Sequence, residues 1–185
     1  MRGKIAALGE IMQLAYVPSD FEGTLRFWIE TMGAGPFFIF ENVHFTECRY
    51  RGIATDPDVT IALGHWRDIQ IEIIRQNNSM PSPCQDWRMA GGEGIHHMCI
   101  VVEDVDAVRQ TCAETGAVIV QEARLGDAEY LFIDTRGGPG TMVEVLKHSP
   151  ETRSLLAMIR DAARDWDGTD PVRLISDLNL GEVVA

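Results

Sequence analysis

The run Gln13-Leu14-Ala15-Tyr16-Val17-Pro18-Ser19-Asp20 lies over His97-Met98-Cys99-Ile100-Val101-Val102-Glu103-Asp104 at an offset of 84 residues. Without a gap, Val17 falls on Val101, Asp20 on Asp104, Glu30 on Glu114 and Thr31 on Thr115. Gly33-Ala34 then matches Gly116-Ala117 once a one-residue gap is allowed. Each copy reads as a strand that ends at an aspartate helix cap, followed by a helix stopped by glycine. The first helix spaces Phe21, Leu25, Trp28, Ile29 and Met32 along one face; the second does so with Val105, Val108, Cys112 and Ala113.

Strand-like runs follow both helices. In the first half they are 35–41, 45–51, 59–63 and 69–74; in the second, 118–122, 130–134 and 141–146. The second half is one run poorer. The last runs correspond, Ile69-Gln70-Ile71-Glu72-Ile73-Ile74 against Gly140-Thr141-Met142-Val143-Glu144-Val145, and each sets one glutamate among apolar neighbours. Caps and glycine stops recur by chance in any α+β chain. Ungapped phasing together with a strand-borne glutamate in each half favours duplication. The polar stretch between the halves, rich in Asn, Ser, Pro and Gly, reads as a linker. The expected organisation is a first module over 1–76, a linker over 77–93, a second module over 94–148, and a C-terminal helix and tail over 149–185.

Beyond Lys147 the pattern changes. Ser149 can cap a helix with Pro150 in its first turn, and Leu155, Ile159, Ala162, Ala163 and Trp166 form one apolar stripe before Asp167-Gly168. Such a helix either packs on its own sheet or makes a dimer contact.

With 185 residues and 45% hydrophobic content the chain can bury a substantial core, and its net charge of -12 disfavours nucleic acid and anionic membrane surfaces as partners. No apolar run approaches the ~20 residues of a membrane span, and Met1-Arg2-Gly3-Lys4 opens no signal-peptide pattern. The four cysteines, at 48, 84, 99 and 112, form no CxxC pair and read as reduced thiols of a cytoplasmic protein.

Four residues hold equivalent places in the repeat: Gln13 and His97 on the first strands, Glu72 and Glu144 on the last. Strand alternation puts Glu72 on a face with Gln70 and Ile74, and Glu144 with Met142 and Leu146. Singly, each is more simply the polar side of an amphipathic strand, and His97 a structural histidine. Together they present two half-buried carboxylates, which repel each other unless a cation joins them. A divalent metal with an N/O ligand set meets that need. The aromatic run Phe37-Phe38-Ile39-Phe40, with Trp66 and Trp87, belongs to the core or to a pocket wall.

From about Ile11 to Lys147 the chain resembles the vicinal oxygen chelate (glyoxalase/bleomycin resistance/dioxygenase) superfamily, most like methylmalonyl-CoA epimerase and glyoxalase I-type members. The resemblance is carried by 13–20, by Ala62-Leu63-Gly64 with Ile71-Glu72-Ile73-Ile74, by Gly94-Ile95-His96-His97-Met98-Cys99-Ile100, and by Gly137-Gly138-Pro139-Gly140-Thr141-Met142-Val143-Glu144. It implies an α+β fold of two tandem βαβββ modules forming a curved mixed sheet around a metal cleft, plus the C-terminal helix. It implies Gln13, Glu72, His97 and Glu144 as ligands of one divalent ion (Co, Ni, Zn, Mn or Mg), with His96 only a neighbour. Glu144 is the expected base, and Glu72 a ligand or second base.

Gln13 stands where the similar epimerases usually carry histidine; glutamine at that place occurs in some glyoxalase I enzymes. A further base of the epimerase type has no unique equivalent, with Glu47, Asp56 and Asp58 as candidates. The implied chemistry is proton transfer alpha to a carbonyl, on an acyl thioester or hydroxy-carbonyl substrate. The implied protein binds a small molecule and forms a homodimer. The alternatives are a metal-free sequestering protein of the same fold and an extradiol dioxygenase; the latter needs a second histidine where Gln13 stands.

Overall fold

The computed structural model describes residues 4–177 and is a mixed α+β protein built on one large curved sheet. The N-terminal residues 1–3 and the end of the tail, 178–185, lie outside the described residues.

Strand β1 (Ile11–Tyr16) leads into helix α1 (Phe21–Arg26), which continues through a π-helical turn at Phe27–Thr31. Asp20 caps α1 by accepting from the Gly23 amide at 2.9 Å. Strand β7 (Ile95–Val101) and helix α3 (Val105–Thr115) repeat the pattern, with Asp104 accepting from the amides of Asp106 and Ala107. Gly116 closes α3 at φ 80, a left-handed conformation that glycine adopts without a Cβ penalty. The expected apolar face of α1 is buried in one cluster with Phe37, Ile71 and Ile73. On α3, Val105, Val108 and Cys112 are buried; Ala113 is exposed, and Thr111 takes the inner position instead.

The remaining strands are β2 (Phe37–His44), β3 (Thr46–Tyr50), β4 (Ile53–Ala54), β5 (Asp58–Trp66) and β6 (Ile69–Gln76) in the first half. In the second they are β8 (Val118–Leu125), β9 (Ala128–Asp134) and β10 (Met142–Lys147). The sheet order is β11-β2-β5-β6-β1-β7-β10-β9-β8-β3-β4, where β11 is Val172–Leu174. Its middle is two βαβββ units in mirrored order, joined by β1 and β7 running antiparallel.

The surplus run of the first half thus has an explanation. Strand β3 leaves its own unit and pairs antiparallel with β8, covering the far edge of the second unit. Strand β11 covers the opposite edge by pairing parallel with β2. An uncovered edge strand exposes unpaired backbone groups, and both additions protect against that.

The connector carries a helix of its own, α2 (Pro83–Met89), started by Ser82 accepting from the Gln85 amide and by Pro83 at its first turn. Beyond β10, Ser149 caps helix α4 (Pro150–Ala163). The α4 stripe lies on this chain's own sheet: Ile159 is fully buried against Phe38 and Leu63, and Leu156 packs near Cys99 and Leu146. The stripe therefore supplies no argument for a dimer contact. The helix ends at Ala163, ahead of Asp167-Gly168, and Trp166 lies beyond it. Its indole N–H donates to the Thr169 carbonyl at 2.6 Å and its ring packs on Gly35, where a Cβ would stand 2.9 Å from the indole. Among the described residues, no helix is long and apolar enough to cross a membrane.

Candidate metal centre

The seam between β1 and β7 sets the site. Across it Gln13 pairs with Cys99 and Ala15 with His97. On the outer sides, β6 brings Glu72 opposite Ala15 and β10 brings Glu144 opposite Cys99. Cross-strand partners share a face of the sheet, so Gln13, Glu72, His97 and Glu144 all fall on one face. All four are buried.

His97 is the hub. Its Nε2 lies 3.2 Å from Glu144 Oε2 and 3.4 Å from Glu72 Oε2. Ligand atoms about 2.1 Å from a common ion are themselves separated by about 3.0–3.4 Å. The three residues offer one ligand atom each within 4.8 Å of one another. The spacing fits the first coordination shell of a small cation.

Electrostatics favour the same conclusion. Burial raises the Glu72 carboxyl above the ordinary carboxylate range, and the facing Glu144 adds to that, against the pull of His97. For His97, burial alone would lower the imidazolium; hydrogen bonds and charge from Glu144 and Glu72 outweigh it and raise the group to about 9. A single imidazolium can offset only one of two facing carboxylate charges in a buried site. A divalent cation balances the two carboxylates fully.

Two orphaned atoms point the same way. Gln13 donates through Nε2 to Gln70 Oε1 at 2.8 Å, which leaves its own Oε1 buried with no hydrogen-bond partner. Glu72 Oε2 makes no hydrogen bond and has only the 3.4 Å ion-pair contact with His97 Nε2. Leaving such acceptors unfilled costs about 1–3 kcal/mol each, and a cation fills both. The donor set of carboxylate, amide oxygen and imidazole suits a hard or borderline ion.

Several supporting residues had no role in the sequence reading. His96 Nδ1 stands 2.8 Å from His97 Nδ1, and the Trp87 ring meets His96 edge-on at 5.2 Å. Burial, aided by the charge on His97, lowers His96 to about 3, so it stays neutral and can accept from His97. A ligating histidine is commonly held in this way through its second nitrogen. Gln70 orients Gln13 and in turn lies 3.4 Å from His65 Nε2. Gln70 was traceable, because strand alternation puts it beside Glu72. The role of His96 depends on ring orientation and leaves no mark in residue spacing.

The cluster opens into a cavity of about 140 Å³ lined by Gln13, Glu72 and Glu144. Its walls come from both halves, with Cys84 from α2 and Thr152, Leu155 and Leu156 from α4. Of the aromatic run, only Phe40 lines this cavity, while Phe37 and Phe38 are core. The candidates for an additional base are elsewhere: Glu47 pairs with Arg124, Asp56 with His44, and Asp58 accepts from Asn77. None of the three lines the cavity. They sit on the β3–β4 excursion or at the start of β5, away from the seam.

The four cysteines are all free and buried. Burial pushes Cys84 up to about 12 and Cys99 further, so neither offers a thiolate.

A family model described as glyoxalase/bleomycin resistance protein/dioxygenase superfamily matches residues 12–133. Among solved structures, a hypothetical protein from Bacillus halodurans C-125 is similar at 18% identity and TM-score 0.54, over 76% of this chain and 95% of that one. Methylmalonyl-CoA epimerase from Mycobacterium tuberculosis is similar at 17% identity and TM-score 0.54, over 83% and 98%. At such identities the likeness concerns the fold alone. No curated protein matches the sequence significantly.

Proposed function

The chain belongs to the glyoxalase/bleomycin resistance protein/dioxygenase superfamily, and from that premise we propose that it is a metal-dependent enzyme of proton transfer alpha to a carbonyl. The reaction is an epimerisation or a glyoxalase-like isomerisation or lyase step, on an acyl thioester or hydroxy-carbonyl substrate. The observation that carries this is the placement of two buried glutamates around one imidazole at the end of an apolar cavity.

Gln13, Glu72, His97 and Glu144 would hold one divalent ion, of Co, Ni, Zn, Mn or Mg. Such an ion acts as a Lewis acid on the substrate carbonyl and acidifies the adjacent carbon. Glu144 takes the α-proton. Glu72 serves as ligand and, across the His97 imidazole, as the second carboxylate of the site. Gln70 and His96 keep Gln13 and His97 in orientation, and the apolar walls exclude water. Modules 1–76 and 94–148 supply the site, 77–93 contributes α2, and the C-terminal segment 149–185 contributes α4, whose Thr152, Leu155 and Leu156 line the cavity.

An extradiol dioxygenase needs two histidines and one carboxylate. Here a single imidazole faces two carboxylates, and the His96 Nδ1 is turned to His97. A metal-free sequestering protein has no use for two buried carboxylates on one imidazole. The test is exchange of a substrate α-hydrogen in deuterated water, followed by NMR with metal-loaded and chelator-stripped protein. Exchange that requires the metal supports the reading. Absence of exchange with every thioester and hemithioacetal tried contradicts it.

A further inference from the structure

The cavity is charged on one side only. Among the described residues that line it, Glu72 and Glu144 are the sole ionisable carboxylates, and no lysine, arginine or histidine is present. Cations on the lining strands are committed elsewhere. Arg75 pairs with Glu22 at 3.1 Å, Arg124 with Glu47 and Glu129, and Lys147 with Glu129 at 3.2 Å. Gln121 also lines the cavity, and its Oε1 is buried with no hydrogen-bond partner, so it offers an acceptor. The rest of the wall is mainly aliphatic and aromatic.

Resting on the function proposed above, we infer that the substrate group beside the reacting carbon is uncharged and apolar, and that the site rejects a free carboxylate there. A divalent ion is already balanced by Glu72 and Glu144. A substrate carboxylate on that wall would meet no lysine, arginine or histidine among the described lining residues, and the unfilled Gln121 Oε1 calls for a donor rather than an anion. Burying an unpaired carboxylate is among the costliest changes a binding site can make.

Size narrows the class further. A cavity of about 140 Å³ is close to the ~150 Å³ apolar cavity known to admit benzene. It accepts one small ring or a short branched acyl group. Thr152, Leu155 and Leu156 of α4 form part of this wall, and α4 lies beyond the family match at 12–133. The selectivity is therefore built partly from α4.

A matched pair of probes tests this directly. The isobutyryl and methylmalonyl thioesters of N-acetylcysteamine differ by a methyl group in place of a carboxylate. Calorimetry on cobalt-loaded and metal-free protein should find the isobutyryl probe bound at least about 100-fold more tightly in both forms. Thr152→Arg places a cation at the wall and leaves the backbone amide that Ser149 caps in place. It should narrow the preference by about tenfold. Equal or tighter binding of the methylmalonyl probe, no binding of either probe, or an unchanged ratio in folded Thr152→Arg protein each overturns the inference. Neutral preference without any α-hydrogen exchange would leave this inference standing and remove the proton-transfer reading.

Discussion

Gln13 and His97 are exchanged by an approximate two-fold axis through the Leu14–Met98 pair, so that Gln13 faces Cys99 where His97 faces Ala15. The same operation exchanges Glu72, opposite Ala15, with Glu144, opposite Cys99. The two halves therefore present a symmetric carboxylate pair and an asymmetric amide–imidazole pair. The asymmetry leaves His97 as the one titratable nitrogen donor of the four.

Glu144→Gln keeps an amide oxygen able to ligate but removes the proposed base. Metal content should persist in part, while α-hydrogen exchange falls by about 100-fold or more. Deuterium incorporation by NMR and elemental analysis of the same sample check both halves. Unchanged exchange would reassign the base.

Metal uptake should release a proton. His97 is raised to about 9 in the metal-free protein, so at neutral pH its imidazole must lose a proton before ligating. Apparent affinity should rise with pH, by about tenfold per unit for one released proton, and level off above about 9. In the metal-free protein the sign for stability is opposite. A raised histidine stabilises fully below its unfolded pKa, and that contribution is lost as pH rises through about 9. Calorimetry in buffers of different ionisation enthalpy counts the protons.

Gln70→Leu removes the acceptor that holds Gln13 Nε2. Freed from it, Gln13 can rotate, and metal affinity should drop by about tenfold with the fold retained. Gln70→Glu restores an acceptor and should recover part of the loss. A direct metal titration of both variants separates positioning from simple destabilisation.

Ile159→Ala empties a fully buried position where α4 meets Phe38 and Leu63. The expected cost is about 2–5 kcal/mol, read by chemical unfolding. An effect near zero would mean that α4 is not seated on the sheet in solution.

The modules were legible because their signals are local. Asp20 and Asp104 cap helices within three residues, and Glu72 and Glu144 stand out against apolar neighbours in the same strand. The destination of β3 was not legible: 45–51 reads as a strand, but its partner β8 lies some seventy residues away in the other unit. Likewise the α4 stripe marks an apolar face without saying what it covers. Glu47, Asp56 and Asp58 were candidates by residue type, and only the path of the chain puts them outside the cavity. The pairing of His96 with His97 through Nδ1 depends on ring rotation, which spacing does not encode.

The most direct measurement is metal stoichiometry after equilibrium dialysis against cobalt, for the unaltered protein beside His97→Ala. One cobalt per chain is expected in the former. In the variant the affinity should be weaker by at least about 100-fold, since the single imidazole is gone and two carboxylates are left facing each other. Equal stoichiometry and affinity in the two proteins, or no cobalt retained by the unaltered protein, would contradict that expectation.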